Sequence, residues 1–424
     1  MQLHDKRIDL SLDRILPVAH QMDVLAFQCP VITVAGTNGK GSCITTLESI
    51  YSTAGYRVGC YTSPELTHFC ERIRLSQQMV DESKLLQAFE QVETSRGEIT
   101  LSFFEFTTLA ALLIFKHASL DILLLEVGLG GRLDTVNIID ATVAVITSIG
   151  LDHTEFLGHD RYTIAREKSG IMRQDRPVIC GDQDPPESIQ EVANKTGAHL
   201  LQIHKQFNYL VNHSKKTWTW SSSNKEYDNL PVPSVRCDNA ACAIQAIESL
   251  QSRLPVTYPS IISGLRSVSL PGRFEQQFFK QVPVILDVAH NPDAVRALLD
   301  NVKGLAQFDQ IRAVFTCAAN KAIAGMVTSF KSYVTHWYIA PLFPDYLPGR
   351  HMISTSIEKI TSVFDQLHCQ YTCSDSVEMA FKLAHNDCQL QQDQLVLVFG
   401  SFKTVAAVKR AVSFDKDDKI CLLS

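Results

Sequence analysis

The 424-residue chain lacks an apolar run long enough to span a bilayer. Its longest stretches, such as Leu109 to Phe115 and Ile122 to Leu125, fall well short of about 18 residues, which argues against a membrane protein. It also lacks a basic surplus. Thirty-nine Lys plus Arg stand against 45 Asp plus Glu, a net charge of −6, so a general nucleic-acid binder is disfavoured while one basic pocket is allowed. No C-x-x-C pair occurs among the 12 cysteines, and Cys369 with Cys373 lacks the partner pair or His spacing of a zinc site. Most, like Cys60, Cys180 and Cys242, sit within apolar runs, the pattern of reduced thiols in a cytoplasmic protein. No apolar signal-type segment follows Met1 to Arg7, and no fixed-period repeat is visible. What is present is the balance of a globular protein, 45% apolar and 20% charged. At about 150 residues per domain the chain should hold two to three.

Strand and helix alternate. Val31 to Ala35, Arg57 to Tyr61, Ile122 to Val127 and Val143 to Thr147 read as apolar strands, with helices from about Ser42 to Ala54 and Phe104 to Lys116. Strands apolar throughout and separated by helices predict a parallel sheet covered on both faces. Phe207 to Trp220 alternates instead and ends in a polar turn, which predicts a small antiparallel meander on the edge of this domain. Leu270-Pro271-Gly272-Arg273 breaks the pattern, so the domains are expected at 1–270 and 271–424. After it, Val284 to Val288, Ile311 to Phe315, Trp337 to Ala340 and Leu395 to Gly400 restart the alternation as a second α/β unit.

Gly36-Thr37-Asn38-Gly39-Lys40-Gly41-Ser42 follows a strand and opens a helix, the context of a phosphate-cradling loop. Glycines let backbone N–H groups approach phosphate oxygens, the helix N-terminus adds positive potential, and Lys40 adds a full charge. Ser42 can place its hydroxyl on Mg²⁺, although Gly41 separates it from the lysine. The plain alternative is a turn without a ligand. Glu126 stands at the end of a buried strand, where open α/β sheets bind ligands and where a carboxylate must be paired or metal-bound. Arg132 is its structural alternative partner. Ser148-Ile149-Gly150-Leu151-Asp152-His153 again follows a strand, so His153 could ligate Mg²⁺ or simply satisfy a hydrogen bond. Asp287-Val288-Ala289-His290-Asn291-Pro292 ends the first strand of the second domain. Helix capping explains Asn291 but not Asp287 or His290. Arg273 could reach a phosphate from the hinge.

Six blocks in register carry a resemblance over nearly the whole chain: Gly36 to Ser42, Glu126 to Asn137, Leu151-Asp152-His153, Arg166 to Gly170, Leu270 to Phe274 and Asp287 to Pro292. Together they resemble folylpolyglutamate synthase/dihydrofolate synthase, the folate branch of the Mur-type ATP-dependent ligases. The resemblance implies a P-loop ATPase-like parallel-sheet domain that binds ATP and folate. A C-terminal Rossmann-like glutamate-ligase domain follows, with ATP and substrate in the cleft between. It implies a monomeric cytoplasmic enzyme that phosphorylates a carboxylate with ATP and lets L-glutamate displace the phosphate. The acceptors would be 7,8-dihydropteroate and the glutamate tail of reduced folates.

The same resemblance places Mg²⁺ on Ser63, Glu126 and His153. It makes Lys168 a carbamylated lysine that helps hold a second Mg²⁺, and assigns Thr37 to Ser42, Asn239, Arg273 and Asp287 to the nucleotide. Ser102-Phe103-Phe104-Glu105, Leu133-Asp134-Thr135 and the N-terminal Asp9-Leu10-Ser11 match pterin-binding segments. The alternative for the two Phe residues is plain helix core. His290 and Lys321 are candidates on the glutamate side. Ser63-Pro64-Glu65-Leu66 through Glu71-Arg72-Ile73-Arg74 resembles a mobile loop beside the nucleotide.

Three departures bear on recognition of glutamate and the folate tail. Glu65 stands where the family usually has His after Ser-Pro. The common His-Asp-Lys-Asp reads Ala319-Asn320-Lys321-Ala322, and the chain starts later than close relatives. A homologue that keeps the nucleotide loop but has lost one or both ligase activities is therefore the rival reading. A cell-wall ligase would need a separate UDP-binding domain before the loop, where only the residues up to Ala35 stand.

Overall fold

The computed structural model describes residues 10–212, 214–305, 308, 310–342, 354–388 and 394–412. The chain divides into two compact units, Met1–Leu270 and Pro271–Ser424. Unit one is built on an eight-stranded sheet. In chain order its strands are β1 (Val31–Ala35), β2 (Val58–Tyr61), β3 (Ile73–Leu75), β4 (Gln78–Met79), β5 (Ile122–Glu126), β6 (Val143–Ile146), β7 (Pro177–Cys180) and β8 (His199–Gln202). Their spatial order is β4-β3-β2-β5-β1-β6-β7-β8, parallel from β2 to β8. Only β3 and β4 run antiparallel.

The uniform burial of β1, β2, β5 and β6 follows from having cover on both faces. Alternate residues of one strand serve different cores. Val31 and Ala35 pack on one side with the helices Glu82–Arg96 and Phe103–Lys116. Ile32 and Val34 pack on the other with Lys40–Thr53, Cys237–Glu248 and Tyr258–Ser267. Phe103–Lys116 is buried from Glu105 to Phe115, as befits a helix that is apolar almost all round.

The small antiparallel meander expected at Phe207 to Trp220 is present as a sheet of its own. Its strands are β9 (Phe207–Asn212) and β10 (Thr217–Ser222), joined by β11 (Lys225–Pro231). Trp218 and Trp220 are fully buried in the core beneath the Cys237–Glu248 helix, and that burial sets the alternation seen in the sequence. One expectation changes: the end of the expected mobile loop, Ile73-Arg74, lies in strand β3, paired to β2 and, with β4, closing one side of the main sheet.

Unit two holds a six-stranded sheet of β12 (Glu275–Phe279), β13 (Val282–Leu286), β14 (Gln310–Phe315), β15 (Val334–Ile339), β16 (Tyr371–Cys373) and β17 (Gln394–Phe399). Its order is β12-β13-β17-β14-β15-β16, parallel except for β12. Phe315, Trp337, Phe364 and Phe399 form the aromatic centre of its core. Strand β12 escapes sequence reading because Glu275-Gln276-Gln277 carries no apolar period, yet pairing with β13 satisfies its backbone. Among the described residues no helix is long and apolar enough to cross a membrane.

Ser102 caps the Phe103–Lys116 helix. Its hydroxyl accepts from the Glu105 amide at 3.3 Å, and the Glu105 carboxylate accepts from the Ser102 amide at 2.7 Å. Ser102→Ala is expected to lower the unfolding free energy by about 1 kcal/mol in a urea titration.

Candidate active site

The candidate residues of unit one issue from the C-terminal ends of four adjacent strands, β2, β5, β1 and β6, the edge at which open α/β sheets bind ligands. After β1 the chain turns through Gly36 to Gly39 and enters the Lys40–Thr53 helix, so free N–H groups of its first turn lie at this edge. Gly39 adopts φ 87°, and a Cβ there would stand 2.1 Å from Asn239 Oδ1. Only glycine fits, and Asn239 is thereby placed against the loop. Lys40 Nζ donates to the Gly36 carbonyl at 3.0 Å, folding the ammonium back over the turn.

The segment after β6 braces this loop. Thr37 N donates to Ser148 O at 2.8 Å, and Gly150 N donates to Thr37 Oγ1 at 2.9 Å. Asn38 N donates to Ser148 Oγ at 3.1 Å, while Thr147 Oγ1 donates to Asn38 O at 2.6 Å. Sequence reasoning missed the brace beneath it. Arg161 and Asp182 form an ion pair at 2.8 Å. Arg161 Nε donates to Ile149 O at 2.9 Å and Asp182 accepts from Ile149 N at 2.6 Å, so both polar groups of that peptide residue are fixed. The available signal was a carboxylate just beyond strand β7, on the edge already marked by Glu126.

Glu126, only 5% exposed, accepts from the Ser63 amide at 3.2 Å. A Cβ on Gly41 would lie 4.0 Å from its Oε2, which makes the carboxylate a neighbour of the phosphate loop. Arg132, the alternative partner weighed for Glu126, is paired with Glu167 at 2.9 Å. His153 adopts a left-handed φ of 51° at the start of a short helix, its Nε2 3.9 Å from Asp152 Oδ2.

Lys168 sits near the end of the Arg161–Ser169 helix and is 3% exposed. Burial pushes its ammonium down to about 7, nearby Lys40 pushes the same way, and Asp152 and Asp134 pull against them. Asp134 is pushed up to about 6 by burial, opposed by the amides of Leu129, Val136 and Gly128 and by Lys40. Lys40, Asp134 and Asp152 thus all lie within electrostatic reach of Lys168.

Of the expected pterin-side residues, Phe104 stacks on Tyr61 at 6.0 Å and lies against Gly128, where a Cβ would meet its ring at 2.5 Å and Asp134 Oδ2 at 3.3 Å. Thr135 Oγ1 is 2.9 Å from Thr108 Oγ1, and Leu133 is half-buried beside it. Ser102 and Glu105 are engaged in the helix cap, and Glu105 also takes Arg14 at 2.9 Å. Leu10 and Ser11 are half-buried ahead of the first helix, whereas Asp9 lies outside the described residues.

Within unit two, Asp287 accepts from the amides of Phe274 and Ala289, both at 2.7 Å. Burial raises its carboxyl, while nearby Arg273 acts in the opposite direction. The Arg273 guanidinium lies 5.2 Å from the Phe402 ring, and His290 stands 6.0 Å from the same ring. Asn291 caps the Pro292–Lys303 helix, confirming the capping explanation. Lys321 belongs to another loop, after β14, where Lys359 Nζ donates to Ala319 O at 2.7 Å.

By their chemistry alone, the residues expected to hold Mg²⁺, Ser63, Glu126 and His153, are donors of the kind a hard divalent cation takes. Among the described residues no three His, Cys, Asp or Glu side chains gather as a metal cluster. One carboxylate, one hydroxyl and one imidazole leave positions for water and phosphate oxygens, the manner in which Mg²⁺ binds.

Two family models match the chain: the Mur ligase middle domain over residues 34–244, and the Mur ligase, glutamate ligase domain over residues 272–402. The dihydrofolate synthase/folylpolyglutamate synthase of Escherichia coli is 43% identical over 97% of this chain and 93% of its own length. Among solved structures, E. coli FolC in complex with DHPP and ADP superposes with a TM-score of 0.89 at 43% identity, covering 96% of this chain and 94% of that one. A bifunctional folylpolyglutamate synthase/dihydrofolate synthase with Mn, AMPPNP and L-glutamate bound gives 0.87 at 40% identity, covering 96% and 95%. With the strand-end phosphate loop and both domain models in place, the chain belongs to the dihydrofolate synthase/folylpolyglutamate synthase family of Mur-type ligases, ATP-dependent enzymes that form C–N bonds.

Proposed function

We propose that the chain ligates L-glutamate to 7,8-dihydropteroate, giving dihydrofolate, and to the glutamate tail of reduced folates. The observation that carries this reading is the convergence of Lys40, a helix N-terminus and Glu126 at neighbouring strand ends. ATP and the acceptor carboxylate are both anions and repel one another. Lys40 and the first-turn N–H groups offset that repulsion and hold the γ-phosphoryl group for transfer. The acceptor carboxylate takes the phosphoryl group, ADP leaves, and the glutamate amine then displaces phosphate from the acyl carbon.

Ser63, Glu126 and His153 are the residues proposed to hold Mg²⁺, which when bound neutralises phosphate charge. Lys168 is proposed to be carbamylated. An amine whose ammonium dissociates near 7 is substantially neutral at physiological pH and can attack CO₂, releasing one proton and leaving a carbamate anion. Thr37, Asn38, Gly39, Gly41, Ser42 and Asn239 are its proposed nucleotide contacts in unit one, with Arg273 and Asp287 in unit two. His290 and Lys321 are proposed for glutamate. On the pterin side, Phe103, Phe104, Leu133, Asp134 and Thr135 supply flat apolar contact with one buried carboxylate, which suits a heterocycle bearing N–H donors. Buried free thiols such as Cys43, Cys60 and Cys242 fit a reducing cytoplasm.

The test is glutamate-dependent ADP release by the purified protein, with 7,8-dihydropteroate and then a reduced folate as acceptor. Release is expected with both. A homologue that only binds nucleotide would show none with either.

A further inference from the structure

The segment between β2 and β3 is held at both sides of Ser63 by a single residue, Arg72. Thr62 N donates to the Arg72 carbonyl at 2.9 Å. Two residues beyond Ser63, the Glu65 carboxylate accepts from Arg72 Nε at 2.6 Å. Between these ties, the Ser63 amide donates to Glu126. The ion pair is almost closed to solvent, its side chains 6% and 8% exposed. The guanidinium carbon lies 5.4 Å from the Phe69 ring and 5.6 Å from the Phe103 ring, so its plane cannot swing freely.

The rest of the segment has anchors of its own. Glu71 accepts from the amides of Leu66, Thr67 and His68. Arg74 donates to Thr62 Oγ1 at 3.0 Å and to Glu71 O at 2.8 Å while pairing with Glu48 of the phosphate-loop helix. Glu65–Arg72 is therefore not needed to keep the segment folded down. What it adds is local: it fixes the chain on the C-terminal side of Ser63. A buried ion pair is a poor source of net stability, since apolar residues of similar size usually serve as well. Its Nη1 even lacks a hydrogen-bond partner among the described residues. Directional fixing is what a pair of apolar residues could not reproduce.

We propose that Glu65 and Arg72 are positioning residues, which set Ser63 and the carboxylate of Glu126 in the orientation that receives the divalent cation. The inference rests on the metal reading given above. It assigns a role to Glu65, one of the positions at which this chain departs from the family pattern.

The test is direct Mn²⁺ binding, followed by electron paramagnetic resonance in the presence of a non-hydrolysable ATP analogue, together with a thermal melt. Glu65→Gln keeps the side-chain volume and removes the charge. The double variant Glu65→Leu with Arg72→Met removes both charges while filling the space. Each is expected to raise the Mn²⁺ dissociation constant about tenfold or more. The double variant should melt within a few degrees of the parent, because no charge is left stranded. Parent-like Mn²⁺ affinity in both variants would overturn the proposal and leave the pair a structural contact. Glu126→Gln separates the two levels of the argument. If it leaves Mn²⁺ affinity unchanged, the metal reading itself fails and the positioning role falls with it.

Discussion

Lys40→Ala is expected to lower kcat for glutamate-dependent ADP release by about 10²–10³, the loss that follows removal of one preorganised charge from a reacting anion. The fold should survive. Lys40 is half-buried at the first position of its helix, and its Nζ donates to the carbonyl of Gly36 in the neighbouring turn. A melting temperature within a few degrees of the parent, alongside the collapse in turnover, is the result that supports the phosphate-loop assignment. Normal turnover would remove it. A second consequence distinguishes charge from shape. Lys40 helps push the Lys168 ammonium down, so its removal should let that group rise above about 7. Lys40→Met, which keeps most of the volume, should show the same displacement of residual activity toward higher pH.

How much of this was legible in the residues differs between fold and site. Val31 to Ala35 and Ile122 to Glu126 could be read as strands because cover on both faces demands an unbroken apolar run. The Phe103–Lys116 helix was legible through its length and apolar character. Strands β3 and β12 were not, since β3 is three residues long with only Ile73 buried, and Glu275-Gln276-Gln277 of β12 lies at a sheet edge where backbone pairing holds the chain. In the site, the phosphate loop announced itself through glycines that local geometry requires, such as Gly39. The Arg161–Asp182 clamp and the Glu65–Arg72 pair gave no comparable signal. Ion pairs between residues seven to 21 positions apart arise from how strand-end loops meet, and charged residues in a sequence look alike whether paired or solvated. Ser102 and Glu105 carried a different ambiguity. A substrate contact and a capping box draw on the same residue types, and here the cap is present.

The second large effect is expected at Lys168, where stability and activity should move in opposite directions. Its ammonium dissociates near 7 in the folded chain against an ordinary 10.5 when unfolded. Between these values the unfolded state holds a proton that the folded state does not, so stability contributed by this group rises with pH across that window. Below 7 both states are protonated and the full cost of burying the charge is felt. Lys168→Met removes that cost. In metal-free buffer purged of CO₂, its melting temperature should exceed the parent's at pH 6.5, with the gap narrowing toward pH 9. Ligation should nevertheless fall about 100-fold, because methionine cannot form a carbamate anion toward the cation. The smaller Lys168→Ala leaves room for a short carboxylate, and added acetate or formate should restore part of its turnover if an anion is what the site needs. In the parent enzyme, activity should climb with pH through about 7 and respond to added bicarbonate. A flat pH profile together with no rescue of Lys168→Ala would show that the lysine acts as a buried amine and not through its carbamate.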